Sequence, residues 1–568
     1  MLLHLRHWLL LCLPALLLAC GEKNDEPQPA SGDTFPEHTD YRIYVVDNTG
    51  WDALALYSWG TVNDLTGKWP GKTSDGTLTV SGQRYAWFSV PVEDAYGCAQ
   101  QLIFNNNNGG KQLADTPLTF GDDADYFFSI TGSGATALSI KTGYKVDHDT
   151  GPIDATATVV ATLSPVGNVF YNIYQVNPKL YGGSGAFQAI KGRLDAIASL
   201  GTEVLYLMPV YPQGKVKSVG SPYCISDFKG VNSSYGNLDD LRSLVNAAHE
   251  KGMKVMFDWV ANHTAWDCAW VSEHPDWYKK DASGNIVCPT ADGTWSDVAQ
   301  LDYSNRELWA AMTEAMVYWL SELDIDGYRC DYAHGPTGSR SGDFDLFWQS
   351  VIGELKAIKP DFLMLAESDF SKLFDDGFDI NYSRSTRSKL IEAYGSGKPQ
   401  GFVTSFASAS AACKEGQSKL VFVTNHDEAS TASPVQDFRT KEGALGAFLL
   451  MRCLPASNLF YGSQEIAYPR AIDFCKNVSI AWDSNADYFN TFRNMLADID
   501  AMRKDASGVF RTSTVRVAGP AVIISFDDGA SLAVNTADSQ VNVTMPADAV
   551  TALPGSFTLE PYAFLIVR

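Results

Sequence analysis

An arginine and an aspartate stand two residues apart in the segment from Asp324 to Gly335. The segment predicts the end of a helix followed by a short buried strand, on which Arg329 and Asp331 point to the same face. A guanidinium that close favours the ionised carboxylate, which suits a nucleophile or a group that stabilises a cation. A buried structural ion pair is the alternative. Other carboxylates must decide between the two.

Three further apolar runs also end on polar groups. The residues at these ends are Asp258, His263, Glu367, His426 and Asp427. Parallel strands buried on both faces appear in a sequence as continuous apolar runs, and polar residues at their carboxyl ends lie at the mouth of an α/β barrel. Packing alone does not explain four such endings, so the pattern predicts an active site.

The composition limits the classes of partner. The chain has 568 residues, too many for one ordinary domain, and 43 Lys and Arg against 66 Asp and Glu give a net charge of −23. This charge argues against nucleic acid or anionic lipid as a partner. Aromatic residues make up 12% of the chain, as expected of a protein that stacks on sugar rings. Cys268 and Cys288 lie in one loop-rich stretch and are candidates for a disulfide.

The first twenty residues have a basic patch, an apolar core and then Leu18, Ala19 and Cys20, which predicts a secretory signal. The ending resembles a bacterial lipobox and implies that Cys20 is the lipidated first residue of the mature chain; plain cleavage nearby is the alternative. Residues 21–40 form a polar tether containing prolines. We therefore expect an extracytoplasmic protein at the bacterial outer membrane or cell surface, in contact with the membrane only through its lipid anchor.

The hydrophobic pattern predicts a multidomain α/β plus all-β chain. Residues 41–147 show short alternating strands separated by turn residues, which indicates a β-sandwich, and residues 148–166 read as a linker. Residues 167–507 alternate eight apolar strands with helices, the pattern of a (β/α)8 TIM barrel, with an insert over 261–302 after the third strand. Residues 508–568 return to alternating strands and predict a C-terminal β-sandwich.

Aromatic and amide side chains cluster in the N-terminal sandwich. The stretch from Trp69 to Lys72, together with Ile103–Gln112, resembles the starch-binding carbohydrate modules that are appended to amylases. The candidate binding residues are the aromatic side chains of Tyr57, Trp59 and Trp69, with Lys111 and Gln112 as hydrogen-bonding partners. A core position for the aromatic residues is the alternative.

The segments DWVANH, GYRCDYAH, LAES and FVTNHDE stand in the order and spacing of the α-amylase superfamily of retaining glycoside hydrolases, which residues 169–568 resemble. This resemblance implies that Asp331 is the nucleophile, Glu367 the proton donor and Asp427 the transition-state stabiliser. It also implies that Arg329, Asp258, His263 and His426 support the subsite for the reacting sugar. The stacking tyrosine of the family aligns with Phe228, and Tyr223 is the other candidate.

The two carboxyl groups of a retaining enzyme lie about 5 to 5.5 Å apart and have different protonation states. We expect Asp331 to remain ionised beside Arg329. The apolar residues that precede Glu367 should raise the pKa of its carboxyl toward that of an acid.

The chain departs from the family at three places. His334 occupies the position of the usual lysine after the nucleophile, the later histidine is missing, and Gln300 replaces an aspartate of the calcium-binding members. Asn262 alone remains of the calcium ligands, and calcium needs several oxygen ligands. We therefore expect no required cofactor, with calcium possible only if other groups complete its site.

The resemblance implies a secreted, lipid-anchored α-amylase that hydrolyses internal α-1,4 bonds of starch and maltodextrins with retention. Two alternatives on the same barrel are a maltodextrin-processing α-glucosidase or cyclomaltodextrinase and a glucanotransferase. A non-catalytic starch-binding surface protein is a further alternative. The sequence leaves chain-length preference and oligomeric state open.

Overall fold

A computed structural model describes residues 34–568 except 63, 109, 147–151, 167–169, 183 and 336–341. The chain divides into two compact units, Met1–His148 and Asp149–Arg568. The predicted signal, Cys20 and most of the tether lie outside the described residues. Among the helices in the described part of the chain, each is too short or too polar to cross a membrane.

The first unit packs two β-sheets against each other. One sheet contains, in spatial order, Gly76–Val80, Gln83–Val90, Tyr41–Asp47, Asp125–Thr131 and Gly134–Ala137. The other contains Lys72–Thr73, Ala55–Gly60, Ala99–Asn105 and Thr116–Thr119. A short helix, Val92–Ala95, follows the longest strand. Alternate residues such as Ile43, Leu56 and Phe104 meet in a buried core, as a sandwich requires.

The second unit contains a closed barrel of eight parallel strands. The strands are β1 (Asn172–Val176), β2 (Val204–Leu207), β3 (Lys254–Val260), β4 (Gly327–Asp331), β5 (Leu363–Ala366), β6 (Ile380–Tyr382), β7 (Ser418–Phe422) and β8 (Ser457–Tyr461). Strand β8 pairs with β1 and closes the ring. Apart from two partly exposed ends, at Lys254 and Asp331, the strand residues are buried, which explains their continuous apolar sequences. The predicted TIM barrel is confirmed.

Helices cover the outside of the barrel. The main ones are Ala186–Lys191, Leu194–Ser199, Leu238–Glu250, Arg306–Leu323, Gly342–Ile358, Arg384–Ser396, Gln400–Ser410, Lys441–Cys453 and Ala486–Arg503. Shorter helices are Ala269–Glu273, His426–Ala429 and Pro434–Asp437, and 3₁₀ turns lie at Pro178–Leu180, Pro275–Trp277, Ser371–Phe374 and Gln464–Ile466. The insert after β3 adds a small antiparallel pair, His263–Ala265 with Val298–Gln300.

The helix before β4 shows how the sequence sets the start of this strand. Arg306–Leu323 begins after Asn305, whose side chain accepts a hydrogen bond from Glu307 N, and ends at Asp324 with a left-handed backbone conformation. Gly327 then pairs with Leu363 at the start of β5. A Cβ atom at Gly327 would lie 2.5 Å from the Leu363 carbonyl oxygen, so glycine permits this close approach of β4 and β5.

A C-terminal β-domain completes the second unit with two sheets. One contains Thr158–Leu163, Ser513–Ala518, Ala521–Phe526, Ser531–Asn535 and Phe564–Val567; the other contains Ile153–Thr156, Val541–Thr544 and Ser556–Leu559. The prediction that residues 148–166 are a linker is therefore wrong for Ile153–Leu163. These residues form two strands that pair with strands near the C-terminus of the chain. A prediction from local sequence patterns does not detect such long-range pairing.

Candidate active site

The site is built around one buried guanidinium. Arg329 on β4 is fully buried, and its Nη1 lies 2.8 Å from Asp258 Oδ1 and 3.1 Å from Asp331 Oδ1. Its Nη2 lies 3.0 Å from Glu367 Oε2. Three carboxylates from three consecutive barrel strands thus share one cation, as the strand endings in the sequence predict.

Asp331 and Glu367 come from neighbouring strands at the same level. Cys330 on β4 pairs with Ala366, the last residue of β5, and the residue that follows each of them is the carboxylate. The Glu367 amide also donates to the Cys330 carbonyl at 3.0 Å. Adjacent strands are about 4.8 Å apart, so the backbone places the two carboxylates next to each other, as a retaining glycosidase requires.

The protonation of this pair differs from the sequence-based expectation. Burial, and then the Glu367 carboxylate, raise the pKa of Asp331 well above its usual value despite Arg329. Burial would also raise the pKa of Glu367, but Arg329, Arg384 and the Tyr332 amide outweigh burial and lower it to about 2. These directions are opposite to the expected ionised Asp331 beside a protonated Glu367, because a second cation, from the helix after β6, lies beside Glu367.

That cation is Arg384, which the sequence reasoning missed. Its Nη2 donates to Glu367 Oε1 at 2.5 Å, while the Tyr332 amide donates to Glu367 Oε2 at 2.8 Å. Arg384 is the first residue of the helix that follows β6. A cation is unfavourable at a helix N-terminus, and this misplacement is the signal that could have marked the residue.

A second group of polar side chains surrounds Asp258. Its Oδ2 accepts hydrogen bonds from the hydroxyls of Tyr206 at 2.5 Å and Tyr223 at 2.9 Å. Tyr223 has one hydroxyl proton and gives it to this carboxylate, so its oxygen accepts from Nε2 of His426 at 2.7 Å. Nδ1 of His426 then accepts from the Gln175 amide at 2.8 Å.

These hydrogen bonds assign His426 as a neutral imidazole protonated on Nε2. Burial, and then Arg329, lower the pKa of His426 to about 3, which agrees with this assignment. Gln175 on β1 and Tyr206 on β2 were not predicted. Polar side chains at the inward positions of fully buried strands were the available signal.

Phe228 lies elsewhere, so the first choice for the stacking residue is wrong. Its ring stacks on Trp270 at 5.1 Å and tilts against Trp259 at 5.2 Å between centroids. Trp259 alternates with Asp258 along β3 and faces the outer layer of the barrel, so Phe228 belongs to that layer. Tyr223, the other candidate, contacts Asp258 and His426.

His263 and Asn262 lie just beyond β3 and are buried. Burial lowers the pKa of His263 to about 4, so its ring is neutral. The side-chain amide of Gln300 donates to the Asn262 carbonyl at 2.8 Å, to Asn262 Oδ1 at 3.3 Å and to the Leu301 carbonyl at 3.0 Å. The Gln300 amide nitrogen is thus a hydrogen-bond donor to three oxygens.

These residues do not fit a calcium ion. The side-chain oxygen of Asn262, the one predicted ligand that remains, receives a hydrogen bond from Gln300 instead. Across the described ranges, moreover, no three His, Cys, Asp or Glu side chains converge as a metal site requires. Cys268 and Cys288 are free thiols, so the predicted disulfide is absent from the structure.

Asp427 and His334 lie toward the open side of the site. Asp427 follows His426 at the start of a short helix, with Oδ1 3.2 Å from His426 Nε2, and 47% of its side-chain surface is exposed. Its partial burial, and then the Glu367 carboxylate, raise its pKa to about 6. The His334 ring lies 4.1 Å from the Tyr332 ring and 5.4 Å from the half-exposed Phe370 ring, measured between centroids.

Of the five residues predicted to bind starch, Tyr57 and Trp59 lie on the strand Ala55–Gly60, and Gln112 lies near the end of this strand that is remote from Trp59. Trp59 and Trp69 are 42% and 44% exposed, and the Tyr57 ring meets the Trp69 ring edge-on at 5.4 Å. Lys111 and Gln112 are exposed, and Gln112 bridges to Asn105, whose amide donates to the Pro70 carbonyl beside Trp69. These positions expose two indole rings near polar side chains.

Comparisons with known proteins agree with this geometry. The family described as "Alpha amylase, catalytic domain" matches residues 149–286. Alpha-amylase MalA of Haloarcula japonica is 27% identical over 350 residues, which cover 59% of this chain and 48% of the relative. These matches support the α-amylase superfamily for this chain.

Other relatives of the chain have names that indicate a transfer reaction. The α-1,4-glucan:maltose-1-phosphate maltosyltransferase of Rhodospirillum rubrum is 31% identical over 237 residues, covering 36% of this chain and 33% of the relative. The chain thus spans half or less of the length of these curated relatives. Both hydrolysis and transfer occur among them, so the chemistry must be argued from the site.

Solved structures share the fold of this chain. A crystal structure of an α-amylase from Lactobacillus plantarum has a TM-score of 0.56 at 24% identity and covers 70% of this chain and 99% of that chain. The cyclic α-maltosyl-(1→6)-maltose hydrolase of Arthrobacter globiformis has a TM-score of 0.56 at 18% identity and covers 70% and 98%. At these identities the likeness supports the fold alone.

Proposed function

We propose that the chain is a retaining α-glucan hydrolase that cleaves α-1,4 bonds of starch and maltodextrins. The observation that carries the proposal is the pair Asp331 and Glu367, set side by side on β4 and β5 and joined through the buried Arg329. Retaining glycosidases need two carboxyl groups in this relation.

In the first step, the Asp331 carboxylate attacks the anomeric carbon while the Glu367 carboxyl group gives its proton to the glycosidic oxygen. The bond to the leaving sugar breaks, and a glucosyl ester of Asp331 forms. In the second step, the Glu367 carboxylate takes a proton from water, the resulting hydroxyl attacks the anomeric carbon, and Asp331 leaves as a carboxylate. Two inversions return the α-anomer.

The surrounding residues bind the reacting sugar. His426 keeps its Nε2 proton directed toward Tyr223 and Asp427, and Asp427 is the exposed carboxylate that can accept hydrogen bonds from sugar hydroxyls. Buried and held by their own partners, Tyr223 and Asp258 need little reorganisation during the reaction. We further propose that no calcium is required, since Gln300 bridges the oxygens of Asn262 and Leu301.

Time-resolved proton NMR of maltoheptaose hydrolysis tests the reaction. The first product should be the α-anomer, and Glu367→Gln should lower kcat by about 10²- to 10⁴-fold, the usual contribution of a general acid. A β-anomer as first product, or an unchanged rate in the folded Glu367→Gln variant, would refute the proposal. Added maltose as acceptor would reveal longer glucans if the chain is a transferase.

We also propose that the first unit binds starch and that Cys20 anchors the chain to the outer membrane. The two exposed indole rings of Trp59 and Trp69 support the first idea. The double variant Trp59→Ala and Trp69→Ala should bind granular starch more weakly in a sedimentation assay, with unchanged turnover of maltotriose. Mass spectrometry of the mature N-terminus tests lipidation, and Cys20→Ser should release the protein from membranes.

A further inference from the structure

Arg384 is held at the mouth of the barrel by acidic partners rather than by its helix. Its backbone N donates to Asp369 Oδ2 at 2.9 Å, and its guanidinium Nη1 lies 3.6 Å from Asp369 Oδ1. Its Nη2 donates to Glu367 Oε1 at 2.5 Å, and its guanidinium carbon lies 4.9 Å from the centre of the Tyr382 ring. The helix dipole opposes a cation at this position, so these contacts must compensate.

Both oxygens of Glu367 face hydrogen-bond donors. Oε2 accepts from the Tyr332 amide and lies beside Arg329, and Oε1 accepts from Arg384. A carboxyl group that carries a proton needs an acceptor for it, and none of these three groups accepts. Each of these three donors therefore favours the ionised form of Glu367, and the departure of one of them makes its protonation easier.

The two guanidinium groups differ in their freedom to leave. Arg329 is fully buried and also contacts Asp258 and Asp331. The side chain of Arg384 is 37% exposed, and that of its outer partner Asp369 is 39% exposed. Arg384 is thus the donor that can swing into solvent without leaving a buried charge unpaired.

We propose that Arg384 is a positioning residue that keeps Glu367 ionised until the leaving-group sugar of a glucan displaces the guanidinium from Oε1. This inference rests on the proposed function. In this proposal the carboxyl groups of Asp331 and Glu367 hold one proton between them, and loss of the Arg384 contact moves that proton from Asp331 to Glu367. The move prepares the acid and the nucleophile together, and only when the sugar is in place.

The pH dependence of kcat/KM for maltoheptaose tests this role, because its alkaline limb reports the acid in the free enzyme. Arg384→Met should move that limb to higher pH by about one unit, the scale of one nearby cation's effect on a carboxyl pKa. Arg384→Lys should keep it close to the wild-type position. Lys389→Met is the matched control, because Lys389 lies on the same helix and pairs with Glu392 at the surface; its limb should not move.

α-Maltotriosyl fluoride separates this proposal from the proposed function, because fluoride leaves with little help from an acid. The fluoride has no leaving-group sugar to displace Arg384, so Arg384→Met should cleave it at least as fast as the wild type does. An unmoved alkaline limb in Arg384→Met, or an equal loss of rate on both substrates, would show a purely structural role and overturn the proposal. If the methionine variant does not fold, Arg384→Gln gives the same test. A wild-type chain that cleaves neither substrate would refute both proposals.

Discussion

Two aspartates at opposite ends of strand β4 meet opposite environments. Asp326 lies directly before the strand, and its Oδ2 accepts from the Val255 amide at 2.7 Å and from His249 Nε2 at 2.8 Å. Its Oδ1 lies 2.8 Å from Lys359 Nζ. Burial would raise the pKa of Asp326, but these partners outweigh burial and lower it to about 2. Asp331, five residues later, shares one guanidinium with two other carboxylates and has a raised pKa.

The difference between the two aspartates shows that the amino end of β4 stabilises the barrel and that its carboxyl end is suited to catalysis. At the amino end of the strand every oxygen of the carboxylate has a donor, so the charge supports the fold. At the carboxyl end the carboxylates outnumber the buried cation, a costly arrangement that is characteristic of active sites. The comparison predicts that the same substitution at the two ends should have opposite consequences.

The largest effect is expected from Asp331→Asn. Hydrolysis of maltoheptaose should fall by at least about 10⁴-fold, as for the loss of a catalytic nucleophile. The free energy of unfolding should not decrease, because the amide removes one of three crowded carboxylates. Initial rates and urea unfolding of the same preparation measure both quantities. Substantial residual activity, or a marked loss of stability, would contradict the proposed difference between the two ends of β4.

Asp326→Asn should reduce stability and leave activity nearly unchanged. We expect a loss of about 2 kcal/mol in the free energy of unfolding at pH 7, with kcat nearly unchanged. Because the folded-state pKa of Asp326 is lowered, its contribution is complete above the unfolded pKa near 4 and disappears as the pH falls through about 2. Urea unfolding at pH 7, 4 and 3 should show the wild type and the variant converging toward low pH. A difference that is independent of pH would contradict this electrostatic account.

The sequence predicted the barrel and the carboxylates but not their charge states. Strands such as Leu363–Ala366 are recognisable because burial on both faces leaves a continuous apolar run, and Glu367 marks the end of that run. Arg384 reaches Glu367 from the next helix, and no local pattern predicts that contact. The same holds for Ile153–Leu163, whose pairing partners lie more than 300 residues away in the sequence.

The same reasoning predicts that a further carboxylate near the mouth of the barrel will need a cation to stabilise it. Gln300→Asp would remove the donor to Asn262 and Leu301 and add a carboxylate there, at a cost of about 1 to 2 kcal/mol for the unpaired buried oxygens. Millimolar Ca²⁺ should restore part of this stability, whereas Gln300→Leu should not respond. Melting temperatures with EDTA and with Ca²⁺ test this prediction. The wild type should melt at the same temperature in both; a large calcium effect on it would contradict the proposed role of Gln300.

The smallest effect is expected from Lys359→Met at the amino end of the strand. Lys359 is one of three donors to Asp326, and its ammonium group also contacts the more exposed Asp324. Its loss should reduce the free energy of unfolding by about 1 kcal/mol, because the His249 and Val255 hydrogen bonds remain. Urea unfolding should also show no additional effect of Lys359→Met in the Asp326→Asn background if the two residues act through each other. Fully additive losses would mean that Lys359 stabilises the chain through Asp324 or through its aliphatic stem, and the contrast between the two ends of β4 would then depend less on the Asp326 ion pair.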